Sequence, residues 1–112
     1  VHLYMVSRLG AYKRRERALK AVEKFQRDLD TATEHNNEVQ RRVEHEQAKL
    51  DKVNSAKVCV NRAKKVEKYE NRISDLKSQL KDTRPAVVGL SKSRELVKRF
   101  EHIIEVGPNP PK

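Results

Sequence analysis

Between residues 22 and 60 the apolar side chains return at alternating steps of three and four. They are Val22, Phe25, Leu29, Ala32, Val39, Val43, Leu50, Val53 and Val60, with Asn36, Glu46 and Lys57 filling the gaps. A repeat near 3.5 residues over five heptads gathers these groups on one narrow stripe, which predicts a coiled coil rather than an ordinary surface helix. Residues 11–84 contain no glycine and no proline. They are dense in Lys, Arg, Glu, Gln, Ala and Leu, which lose little rotamer freedom in a helix. A second series follows, shifted by two positions: Val66, Tyr69, Ile73, Leu76, Leu80, Val87, Leu90, Val97 and Ile104.

Asn54-Ser55 sits at the discontinuity, and three arrangements compete there. One unbroken helix absorbs the shift as a local phase slip. A turn at 54–55 folds the chain back, with Ser55 capping the second helix. A turn at His35-Asn36-Asn37 pairs Leu29 with Val43 and Tyr12 with Val60. The turn at 54–55 is favoured, because Leu50 with Cys59, Val43 with Val66, Asn36 with Ile73, Leu29 with Leu80 and Val22 with Val87 then share a constant sum of positions, 109. The expected fold is therefore all-α: an antiparallel coiled-coil helical hairpin of two long helices, the second kinked near Pro85. Proline is disfavoured inside a helix but accepted in its first turn, so a fresh helix start at Pro85 is the alternative to a kink.

Towards the N-terminus Leu3, Met5, Val6 and Leu9 share an apolar side. Tyr12, Leu19 and Val22 continue it as the half-buried face of a helix whose outer face is basic. Residues 91–105 are amphipathic through Leu96, Val97, Phe100, Ile103 and Ile104, and the stretch Gly107-Pro108-Asn109-Pro110-Pro111 has extended character. The domain expectation is a helical coiled-coil module over 1–106 and a Pro-rich linker over 107–112. Absence of an initiator Met suggests a piece of a longer protein.

Charge changes this picture by its distribution. The chain carries +10 overall: +6 over residues 1–27, −3 over 28–56, +5 over 57–84 and +2 over 85–112. In a hairpin turning at 54–55 the acidic segment faces a basic one, which helps set orientation. Lys13, Arg14, Arg15 and Arg17, with Lys64, Lys65 and Lys68, are left for the outer surface, the candidate residues for binding an acidic partner or an anionic surface. Set against that reading is a plain solvated face. Nucleic acid is disfavoured as a partner, since no aromatic platform interleaves with the cations.

Chemistry is sparse. His35 and His45 are ten apart, fit no helical metal spacing, and read as exposed polar positions. Glu44, His45 and Glu46 lack a histidine four residues on, so the zinc-protease spacing is missing. Cys59, the single cysteine, falls on the expected seam and reads as a small buried hydrophobe. Asn36 is either a register-setting polar seam residue, in which case Asn36→Val should raise stability, or a turn residue. No catalytic, cofactor or metal site is expected.

Resemblances to two families are carried by separate stretches. Residues 84–95, Arg-Pro-Ala-Val-Val-Gly-Leu-Ser-Lys-Ser-Arg-Glu, with Phe100 beyond, resemble the end of the coiled coil between the two Src-homology domains of class IA phosphoinositide 3-kinase regulatory subunits. Residues 23–28 and 38–41 resemble that family's turn region. This resemblance implies a rigid antiparallel rod that clamps a kinase catalytic subunit. It needs the turn near His35, and it places Lys77 and Lys81 where the family has acidic and amide residues. Residues 4–19, with Arg14-Arg15, and 65–80 leading to Arg99-Phe100-Glu101 are similar to the BAR region of sorting nexins, which implies a membrane-bound helical dimer in endosomal trafficking.

The expected function is a non-enzymatic coiled-coil interaction or scaffold module, which the first resemblance narrows to a regulatory-subunit rod holding a phosphoinositide kinase catalytic subunit, set against a BAR-like dimer on anionic membranes. A protein partner is expected, with a homodimer and an anionic membrane surface open. The longest apolar runs fall far short of the ~20 residues that span a bilayer. The expected location is cytoplasmic, with recruitment to membranes open.

Overall fold

The computed structural model describes residues 8–106 and is all-α. Three helices follow one another: α1 over Arg8–Ser55, α2 over Arg62–Lys77 and α3 over Arg84–Val106, with no strand among the described residues. The expected features at Leu3, Met5, Val6 and the 107–112 linker lie outside the described residues.

The helix ends follow local chemistry. α1 runs unbroken through His35-Asn36-Asn37, so no turn forms there. It ends at Ser55, whose Oγ donates to the Lys52 carbonyl at 3.3 Å. Ser55 thus closes the first helix instead of capping the second, and the chain reverses in the following loop, residues 56–61. The residue before α2 is Asn61, held at φ 57°, ψ 38°. That left-handed conformation is one that Asn tolerates better than most residues.

The second long helix expected from the pattern is two helices. α2 finishes in tight turns, with the Gln79 and Leu80 amides donating to the Leu76 and Lys77 carbonyls. α3 opens with Pro85 as its second residue, where a missing N–H costs nothing, and the Val87 amide donates to the Thr83 carbonyl at 3.0 Å. A break at 78–83 replaces the expected kink.

The described residues form two compact units. One comprises residues 31–82: the C-terminal part of α1, the loop, α2 and all but the last residue of the break. Its core joins Val39, Val43 and Leu50 of α1 to Ile73 of α2, with Val66, Tyr69 and Leu76 packed against them. Glu46 pairs with Arg72, and Asn36 bonds Lys81, so the two helices run antiparallel. The other unit comprises residues 8–30 and 83–106. Its buried residues are small or few: Ala11, Ala18, Leu90 and Ser93. Gly89 lets α3 approach α1 closely, since a Cβ there would lie 2.6 Å from the Phe25 ring.

Register is where the expectation shifts. All first-series positions from 22 to 53, Asn36 and Glu46 included, are buried or half-buried. Upstream, the stripe continues through Ala18, Arg15 and Ala11, leaving Tyr12 and Leu19 exposed. Pairs that meet across helices have larger position sums than 109. Phe25 with Gly89 and His35 with Gln79 give 114, Asn36 with Lys81 gives 117, and Glu46 with Arg72 gives 118. The displacement is about one heptad, so the same stripes meet with different partners. Cys59, Val60 and Lys57 fall in the loop, and Leu80 and Val87 are exposed.

Candidate interaction surfaces

Within residues 31–82 the polar seam is specific. The Asn36 Nδ2 donates to the Lys81 carbonyl at 2.9 Å, and the Lys81 amide donates to Asn36 Oδ1 at 2.8 Å. One side-chain amide therefore satisfies both backbone groups of a residue that no helix serves. His35 Nε2 lies 2.8 Å from the Gln79 carbonyl. A carbonyl can only accept, so that nitrogen carries the proton. His35 is thus a half-buried cross-helix donor and not an exposed polar position, whereas His45 is exposed as expected.

Glu46 occupies a seam position with its side chain 14% exposed, 3.7 Å from Lys49 and 3.7 Å from Arg72. Its Oε2 is buried without a hydrogen-bond partner. Beside it lies an open groove of about 500 Å³ edged by Arg41, Arg42, Arg72, Asp75 and Leu76. Arg41 donates to Glu38 at 2.6 Å, and this bond, with the charges of Arg41 and Arg42, holds the Glu38 carboxyl below its ordinary range. The groove mixes both signs of charge, so it selects neither an anion nor a cation.

The sequence-derived basic residues divide between the units. Lys13, Arg14 and Arg17 are exposed on α1. Arg15 departs from that set: it is half-buried, its guanidinium lies 5.2 Å from the centre of the Tyr12 ring, and its Nε is buried without a partner. A long stem allows Arg to cover a seam position while its head reaches outward. Lys64, Lys65 and Lys68 are all exposed on α2, with Lys68 5.8 Å from the Tyr69 ring centre. Among the described residues no group of His, Cys, Asp and Glu could hold a metal ion.

Exposed apolar side chains occur on α1, on α3 and in the loop between α1 and α2. Leu9, Tyr12 and Leu19 stand 67%, 45% and 43% exposed on α1, while Leu96 and Val106 of α3 are 41% and 56% exposed. In the 56–61 loop Val58 and Val60 are 88% and 73% exposed. The heptad spacing had assigned Tyr12, Leu19 and Val60 to the seam. The signal against it was the alanine pair Ala11 and Ala18, whose equal spacing of seven competes with Tyr12 and Leu19 one residue later. No helix among the described residues is long and apolar enough to cross a membrane. No protein family, curated protein or solved structure matches the chain.

Proposed function

We propose that the chain is a non-catalytic helical interaction module built on antiparallel coiled-coil pairing of helices, and that it holds an acidic protein partner. The observation that carries this reading is a second apolar stripe on α1. Ala11, Ala18 and Val22 form the stripe packed within the unit, while Tyr12 and Leu19 lie about 100° around the helix and Leu9 about 160°, and all three stay exposed. Lys13, Arg17 and Lys20 accompany it. Anchors at helical spacing with cations on the flank suit a partner helix that offers an apolar strip edged by acids.

The kinase-regulatory reading loses the feature it needs most, because α1 has no turn near His35. A rod that clamps another subunit remains the same class of module, without that alignment.

A photo-crosslinking side chain at position 12, in the full chain inside cells, tests the proposal. The expected result is a discrete adduct with one acidic protein, lost when Leu19 is changed to Asp and not formed from the exposed polar position Gln40. An adduct of two copies of this chain would replace the partner with a homodimer. Absence of any adduct would remove the face as a binding surface.

A further inference from the structure

The 56–61 loop carries the two most exposed large apolar side chains among the described residues, Val58 at 88% and Val60 at 73%. Its shape is built from within. Arg62 Nη2 donates to the Ala56 carbonyl across the loop mouth, and the Lys65 amide donates to the Asn61 carbonyl at 3.0 Å. Cys59, between the valines, is half-buried. The inward place of the loop is thus taken by a small thiol, and two branched aliphatics are left in water.

Cations crowd the same end of this unit. Residues 52–68 hold Lys52, Lys57, Arg62, Lys64, Lys65 and Lys68 against one acid, Glu67. All but Arg62 are exposed among the basic six.

We propose that this loop is an anchor for an anionic lipid bilayer. Val58 and Val60 enter the boundary between headgroups and acyl chains, and Lys57, Lys64 and Lys65 stay at the level of the lipid phosphates. Binding at that boundary grows with buried apolar area and with attraction to anionic lipid, and the loop offers both at one point. A protein partner fits less well. Two valines on a short loop present far less than the ~800 Å² per side of a stable protein interface. A second copy of the loop would bring the same positive charge. The anchor belongs to residues 31–82 and does not rest on the Leu9–Tyr12–Leu19 face.

The chain has no tryptophan, so Val58→Trp supplies a single reporter on an exposed loop. With vesicles of phosphatidylcholine and phosphatidylserine its emission should shift to the blue and be quenched by brominated acyl chains. Vesicles of phosphatidylcholine alone should produce neither change. In the chain with its natural Val58, the double change Val58→Ser and Val60→Ser should weaken vesicle binding about tenfold, as expected for two lost apolar anchors. Changing Lys57, Lys64 and Lys65 to Gln should weaken it roughly a hundredfold, about fivefold for each cation. Far-UV circular dichroism of each variant should match that of the parent. The proposal is overturned by a failure to bind anionic vesicles, by binding without a blue shift, or by full binding of the double serine variant. A blue shift produced equally by soluble polyglutamate would assign the site to acidic polypeptide and also overturn it.

Discussion

Ile73→Ala is expected to lower stability by about 2–4 kcal/mol, the range for truncating a buried aliphatic side chain. Ile73 is the buried residue of α2 and shares one core cluster with Val39, Val43 and Leu50 of α1. A helix of 16 residues such as α2 is marginal by itself and takes its stability from packing. The loss should therefore appear as reduced helicity as well as an earlier urea midpoint. Combined with Val43→Ala, in the same cluster, the effects should fall short of or exceed their sum by 0.5 kcal/mol or more, roughly the threshold for residues that touch. Leu80→Ala supplies the contrast. Leu80 is 42% exposed, so its truncation should change stability by no more than about 0.5 kcal/mol. A large cost at Leu80 with little at Ile73 would restore the sequence-derived register.

Asn36→Val is expected to destabilise, by about 1–2 kcal/mol. A polar seam residue without partners would predict the opposite sign, because valine packs better than asparagine. Here the Asn36 amide gives and receives a hydrogen bond with Lys81, in the segment between α2 and α3. Valine leaves both Lys81 backbone groups to water, and a net hydrogen bond contributes about 0.5–1.5 kcal/mol. Asn36→Asp keeps the acceptor for the Lys81 amide but sets a carboxylate oxygen against the Lys81 carbonyl in place of the donor, so it should destabilise as well. Amide hydrogen exchange separates this account from a packing effect. The Lys81 amide should lose its protection in the valine variant and keep part of it in the aspartate variant, while the amides of residues 39–50 change little.

Much of the fold was legible because helix-forming composition and a 3.5-residue apolar repeat speak together over a long stretch. All positions of the first series from Val22 to Val53 lie on the buried side. Register was less legible, for a physical reason. Sliding an antiparallel pair by one heptad keeps every stripe facing its partner, so apolar spacing alone accepts position sums of 109 or of about 116. Specific groups decide between them: the Asn36 amide on Lys81, the Phe25 ring against Gly89 and the Glu46–Arg72 pair. Loop length was hidden by the same regularity, since Val60 and Lys57 continue the heptad count into a loop. Tyr12 and Leu19 were misplaced because large apolar residues outrank alanine in any pattern. The packed stripe uses Ala11 and Ala18 instead, where close approach matters more than side-chain size.

The basic clusters illustrate what charge can and cannot tell. Lys64, Lys65 and Lys68 were legible as surface residues, since long charged side chains are seldom buried. Arg15 was not, because its place on the seam follows from the position of Ala11 and Ala18. The exposed valines of the loop were visible as letters but carried no signal of exposure until the reversal was placed at 56–61.

Reversal of the chain at residues 56–61 underlies the seam, the Asn36–Lys81 bond and the exposed loop alike. It is tested most directly by a distance between spin labels at positions 42 and 75, in a chain whose Cys59 is changed to Ser. Both positions edge the same groove in the unit of residues 31–82. The expected separation is about one helix-to-helix spacing, roughly 8–10 Å between axes, extended by the reach of the labels. A distance near 50 Å, about 1.5 Å for each residue between them along one continuous helix, would contradict the account.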